Sequence, residues 1–154
     1  MNFFAKKLTA AFLSGKIINP IPKKYTIKLK DADLFRKVCE SKIKKPVIGF
    51  KAGGTGLPLI KKLKEKEPFY ASVYKHNILQ NNKSITKNKY TLGIELEVCY
   101  LIKKKFFNTK GAVTMKNISK HVSHMAPCIE IVGYRQRKKG ITSFGDLCSD
   151  FGAN

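Results

Sequence analysis

Two stretches of this chain place carboxylates where chemistry could be done. From Tyr90 onward the residues alternate, with Ile94, Leu96, Val98 and Tyr100 on one face of an expected strand and Glu95, Glu97 and Cys99 on the other. Both glutamates then project from one side about 7 Å apart, close enough to share an ion. Glu130 interrupts a second apolar run, Cys128-Ile129-Glu130-Ile131-Val132, and could close the site from a neighbouring strand. An isolated carboxylate buried in apolar surroundings is costly unless it meets a cation, a metal or a proton. Three hard oxygen donors, with water or substrate completing an octahedron, suit Mg2+ or Mn2+ better than a metal that favours thiolate or imidazole. The spacing equally fits a half-exposed strand whose Glu95 and Glu97 face water and pair with lysines.

The glycine-rich run from Gly49 to Gly56 is the second candidate, with Lys51 at the end of an expected strand. It is not a phosphate loop, because its lysine precedes the glycines instead of following them. Glycine backbone there lets a ligand approach closely, and Lys51 could bind an anion or, with a lowered pKa, act as an acid. In so basic a chain the plainer reading is another solvated charge. His76, His121 and His124 show no metal or triad spacing and receive no role.

The elements that must position these residues follow from periodicity. Helices are expected over Phe4 to Ser14, stopped by Gly15, and over Asp31 to Ser41, with Ala32, Leu34, Phe35, Val38 and Cys39 on one face. The prolines at 20 and 22 mark a loop, and Pro46 to Lys51 reads as a strand running into the glycine turn. Leu57 to Lys66 is a short basic helix or turn, Phe69 to Val73 is too short to classify, and Gln80 to Lys89 is an exposed loop. Thr114 to Met125 is expected to be a helix, followed by a strand within Ala126 to Tyr134 and an irregular or helical stretch around Phe144 to Phe151.

Composition limits the alternatives. The 154 residues suffice for one ordinary domain with a real core, 43% of them being hydrophobic. The net charge of +21 raises nucleic-acid binding. The excess is lysine, however, the arginines being Arg36, Arg135 and Arg137, and it is spread in pairs and triplets along the chain. Base readout and bidentate phosphate recognition favour the guanidinium fork, so the charge reads as compositional and a nucleic-acid partner as the lesser alternative. The four cysteines form no CxxC pair and read as reduced, buried thiols. The apolar stretch Leu8 to Leu13 is too brief for a membrane span, which leaves a cytoplasmic location and no membrane partner as the expectation.

Taken in order, these motifs resemble the 2-keto-4-pentenoate hydratase branch of the fumarylacetoacetate hydrolase superfamily. Leu8-Thr9-Ala10-Ala11 through Gly15-Lys16 and Pro20 resembles the family's opening helix and proline loop. Gly49, Lys51, Gly53 and Thr55 match its G-x-K-x-G-x-T turn, followed by Glu67-Pro68-Phe69. Glu95-Leu96-Glu97 matches its ExE metal strand, and Pro127 to Val132 the strand bearing the third carboxylate. Asp146 and Asp150, with Phe151-Gly152-Ala153-Asn154, resemble a substrate-side loop.

The resemblance implies an α+β protein with a mixed β-roll, preceded by a helical and strand region over residues 1–75, the roll beginning within residues 76–154. It implies a lyase that adds water to a 2-hydroxy-2,4-dienoate in aromatic catabolism. Glu95, Glu97 and Glu130 would hold Mg2+ or Mn2+ against a 2-oxo acid, Lys51 would bind the anion or transfer a proton, and Gly53, Thr55 and Asp150 would line the pocket. A 2-oxo acid decarboxylase of the same family, or an inactive relative, would share the metal strand. Members of the family continue with strands beyond the position of Asn154, so the resemblance implies an incomplete roll. An open edge and an uncovered core face would favour a homo-oligomer or completion by another chain.

Overall fold

A computed structural model describes residues 1–64, 67–87, 89–108, 110–136 and 143–152 of the chain. The protein is mixed α+β, with small antiparallel sheets and, among the described residues, no closed barrel. Among the described residues, no helix is long and apolar enough to cross a membrane. The chain divides into two compact units, residues 1–92 with 132–154, and residues 93–131. The division does not follow the 1–75 and 76–154 stretches expected from the sequence, because the C-terminal helix packs among the N-terminal elements.

In the larger unit, α1 (Asn2–Ser14) buries Ala5, Leu8, Ala11 and Phe12, a stripe at helical spacing, and ends at Gly15 in the left-handed conformation. Helix α2 (Leu29–Glu40) buries Ala32, Phe35, Arg36 and Cys39 in the same i, i+3, i+4, i+7 pattern. It begins two residues earlier than Asp31, which instead lies in the first turn, where the helix dipole favours an acid. Helix α2 is the hub of the unit, packing against α1, against α4 (Phe144–Ser149) and against the strand β2 (Phe69–Tyr74). Ser143 caps α4, its Oγ accepting from the Asp146 N–H at 3.1 Å and donating to the Thr26 carbonyl at 3.2 Å.

Strand β1 (Val47–Gly53) pairs antiparallel with β2, Lys51 facing Ala71 and Gly53 facing Phe69. Lys51 is therefore inside the strand rather than at its end. A side chain at Gly53 would strike the Phe69 ring. At Gly54 the backbone is left-handed, φ 71°, and the Phe144 ring occupies the side-chain direction. The chain then enters α3 (Leu57–Leu63). Two apolar clusters fill the unit, one of Leu8, Phe12, Phe35, Tyr74 and Phe151 with smaller neighbours, the other of Ala32, Phe69, Phe144 and Cys148.

Two buried cations are built into this core. Arg36 donates to Asp33 and Glu40 on its own helix and lies over the Tyr70 ring, while Glu40 also accepts the Ser72 N–H and so ties α2 to β2. Arg135 pairs with Asp150 at 3.1 Å, and its guanidinium stacks over Phe12 and Tyr90 at 4.7 and 5.1 Å. Each guanidinium is held by carboxylate and aromatic partners together, which offsets the cost of taking it out of water.

The smaller unit is a two-stranded ribbon, β3 (Thr91–Ile102) with β4 (Val122–Gly133), of which Gly93 to Ile102 and Val122 to Ile131 lie in this unit. The expected helix over Thr114 to Met125 is not there. Residues 118–121 make a single 3-10 turn, and from Val122 the chain is already strand. Pro127 disfavours helix for its predecessor and removes a donor, and pairing with β3 offers the preceding residues a ladder instead. No described residue of this unit is buried.

Candidate metal centre

Period-two geometry puts Glu95 and Glu97 on one face of β3, and β4 brings Glu130 to them from the facing strand. One carboxylate oxygen from each lies within 4.8 Å of the other two. An octahedral Mg2+ or Mn2+ with metal–oxygen distances of about 2.1 Å spaces its ligand oxygens about 3 to 4 Å apart, so small rotamer shifts would bring this set to coordination distance. The donor set is all oxygen, which fits a hard divalent cation.

The reason given by the sequence for a metal here does not hold in its original form. Glu95 and Glu97 are exposed and Glu130 is half-buried, and its neighbour Ile129 is 64% exposed instead of walling it in. Burial therefore does not force a counter-ion on the site. Convergence is the remaining argument: three of the chain's ten acids meet on one ribbon face in a protein of net charge +21.

The same face carries two thiols. Cys99 follows Glu97 by two residues and Cys128 precedes Glu130 by two. Partial desolvation and then the neighbouring Cys99, Glu97 and Glu130 raise the Cys128 thiol above its ordinary pKa. Cys99 and Cys128 are exposed, a correction to the expectation that all four thiols are buried; Cys39 and Cys148 are the buried pair. Burial pushes Cys39 up to about 12 and Cys148 up to about 11. The alternation that put Cys99 with the glutamates was visible in the sequence, which left this face open between a buried and a solvated one; Glu95, Glu97 and both thiols are exposed.

The residues expected on the substrate side belong to the larger unit. Lys51 is half-buried and donates from Nζ to the Gly152 carbonyl at 2.9 Å. Thr55 is exposed just beyond the glycine turn. Asp150 is fully buried, accepting the Arg135 N–H on Oδ2 at 2.7 Å and the Arg135 guanidinium on Oδ1. Burial raises its pKa, partly countered by Arg135. Both oxygens are thus engaged within the core. Ala153 and Asn154 of the same loop lie outside the described residues. The described arginines, Arg36 and Arg135, are buried in ion pairs.

Compared with known proteins, the chain matches no protein-family model and no curated sequence.

Proposed function

We propose that the ribbon face formed by Glu95, Glu97 and Glu130 binds a divalent cation, Mg2+ or Mn2+, and that the chain acts on a 2-oxo acid as a hydratase of the 2-keto-4-pentenoate type. The observation that carries this reading is the convergence of three carboxylate oxygens, from two strands, to within 4.8 Å. The order of the motifs supports the rest: the glycine-lysine turn, the ExE strand and the third carboxylate follow one another as they do in that family, with a fumarylacetoacetate hydrolase-type β-roll as the implied setting.

When bound, the cation supplies Lewis-acid stabilisation to the substrate's carboxylate and keto oxygens as negative charge develops there. Glu95 and Glu97 would hold it from one strand and Glu130 from the other. Lys51 belongs to this reading as the anion-binding or proton-transferring group, with Gly53 and Thr55 beside it. Asp150, engaged with Arg135, contributes by holding the core and not by touching substrate. Its cysteines being free, the chain suits a reducing, cytoplasmic setting.

Calorimetric titration with Mn2+ in the presence of oxalate, comparing the wild type with a Glu97→Gln Glu130→Gln double variant, tests the site. Saturable binding near one ion per chain, abolished in the double variant, is expected, and loss of dienoate absorbance on adding metal would then establish hydration. A wild type that takes up no metal, or a variant that binds as well, would overturn the metal reading. Bound metal without turnover would overturn the hydratase and retain the site.

A further inference from the structure

The carboxylate face of the ribbon carries a second matched pair of side chains, which the metal reading leaves unused. Alternation puts Cys99 of β3 on the face of Glu95 and Glu97, and Cys128 of β4 on the face of Glu130. The two strands are antiparallel neighbours, and in such a pair a step of two residues forward on one strand meets a step of two back on the other. Cys99 and Cys128 therefore stand to each other as Glu97 and Glu130 do, one repeat along the ribbon. The carboxylates of that pair reach within 4.8 Å of each other. The Cys128 thiol registers the same closeness: after partial desolvation, the charge of Cys99 bears on it most, ahead of Glu97 and Glu130.

Two sulfurs suffice for a disulfide but not for a metal. The ligand atoms that converge among the described residues are those of Glu95, Glu97 and Glu130, with no thiol in the set. A disulfide asks for Cα atoms about 4.4 to 6.8 Å apart, and residues facing each other across an antiparallel pair lie about 4.5 to 5.5 Å apart. A diagonal pair needs one strand to slide slightly along the other. No described residue of this unit is buried, so no packed core resists the slide. Both thiols are exposed to a small oxidant, unlike Cys39 and Cys148.

We propose that Cys99 and Cys128 are the site of a reversible disulfide that staples β3 to β4. A small disulfide RSSR, of the glutathione type, is the oxidant. The thiolate of one cysteine attacks an RSSR sulfur, the S–S bond of RSSR breaks, and one RS− leaves. The thiolate of the other cysteine then attacks the protein sulfur of the mixed disulfide, its bond to SR breaks, and the second RS− leaves. The two thiol protons end on the two RS−, so the protein gives up two electrons and the oxidant takes them as two RSH. Excess thiol runs the sequence backward. A two-stranded ribbon is marginal by itself, and a bridge that closes the loop from Cys99 to Cys128 removes open conformations in which the strands part. The bridge does not depend on the metal reading, yet it holds together the strands that carry the three glutamates.

Incubation of the reduced full chain with oxidised glutathione, followed by alkylation of free thiols and peptide mass spectrometry, tests the proposal. The expected product is a single chain with Cys99 linked to Cys128, with Cys39 and Cys148 still reduced, and with full reversal by dithiothreitol. In Cys99→Ser the bridge is expected to be lost, Cys128 instead keeping glutathione as a stable mixed disulfide, and Cys128→Ser should do the same at Cys99. Continued protection of Cys39 and Cys148 shows that each variant is folded. In urea the two thiols are joined only by a flexible loop, and bridge formation is expected to slow by about tenfold or more. Stable glutathione on both Cys99 and Cys128 of the wild type, a bridge between two chains, or a bridge that forms as fast in urea would overturn the proposal.

Discussion

The two units of this chain are built from similar material and solve different problems. The larger unit wraps two apolar clusters in helices and a strand pair, and it goes as far as burying Arg36 and Arg135 with carboxylate and aromatic partners. The smaller unit is as apolar along its strands, yet no described residue of it is buried. The difference is one of geometry. A helix presents one stripe, and the other helices and β2 cover it; a two-stranded ribbon has two faces, and here neither is covered within its unit. Stability thus concentrates in the larger unit, while the smaller leaves carboxylates exposed on one face and apolar side chains exposed on the other.

Thiol labelling breaks that comparison most sharply. Cys99 and Cys128 are expected to react with a disulfide reagent at the rate of accessible thiols, whereas Cys39 and Cys148 should wait for the larger unit to open. With unfolding free energies of about 5 kcal/mol or more, the buried pair should lag by a factor on the order of a thousand. Mass spectrometry of the labelled sites reads the two classes separately, and uniform reactivity would mean that the larger unit has no stable core.

Removing one partner of the buried ion pair comes next in size. Arg135→Met leaves Asp150 in the core without its guanidinium and should cost about 3 to 5 kcal/mol of unfolding free energy. Denaturant titration followed through the protection of Cys148 measures it. A loss below about 1 kcal/mol, the ordinary worth of an exposed pair, would mean that water reaches the site.

The smallest effect is one of pH. Because burial raises Asp150 above its unfolded value of 3.8, the native state holds the proton more tightly than the unfolded chain. The contribution of this group is therefore fully present below that value and is lost as pH rises from it toward the folded pKa, opposite to an exposed paired carboxylate. Measured against Asp150→Asn, which does not titrate, wild-type stability should decline over that window. An increase instead would show that Arg135 outweighs desolvation.

The sequence made α1, α2, β1 and the two long strands legible because their apolar residues recur with the periods of helix and strand. Gly15 and Gly133 marked ends that the structure retains. It misjudged residues 114–125, where apolar spacing suggested a helix and pairing with β3 decided otherwise. It also read Lys51 as the end of a strand, since pairing that carries β1 on to Gly53 depends on β2, a segment too short to classify alone.

What the sequence determined by itself is local: that Glu95 and Glu97 share a face, and that Ile94, Leu96 and Val98 share the other. Those facts follow from backbone periodicity and sterics, which need no distant contact. The tertiary structure alone decided that Glu130 joins the pair, that Asp150 is spent on Arg135, and that half the thiols face water. Each of these depends on which distant segments meet, and no local period encodes that.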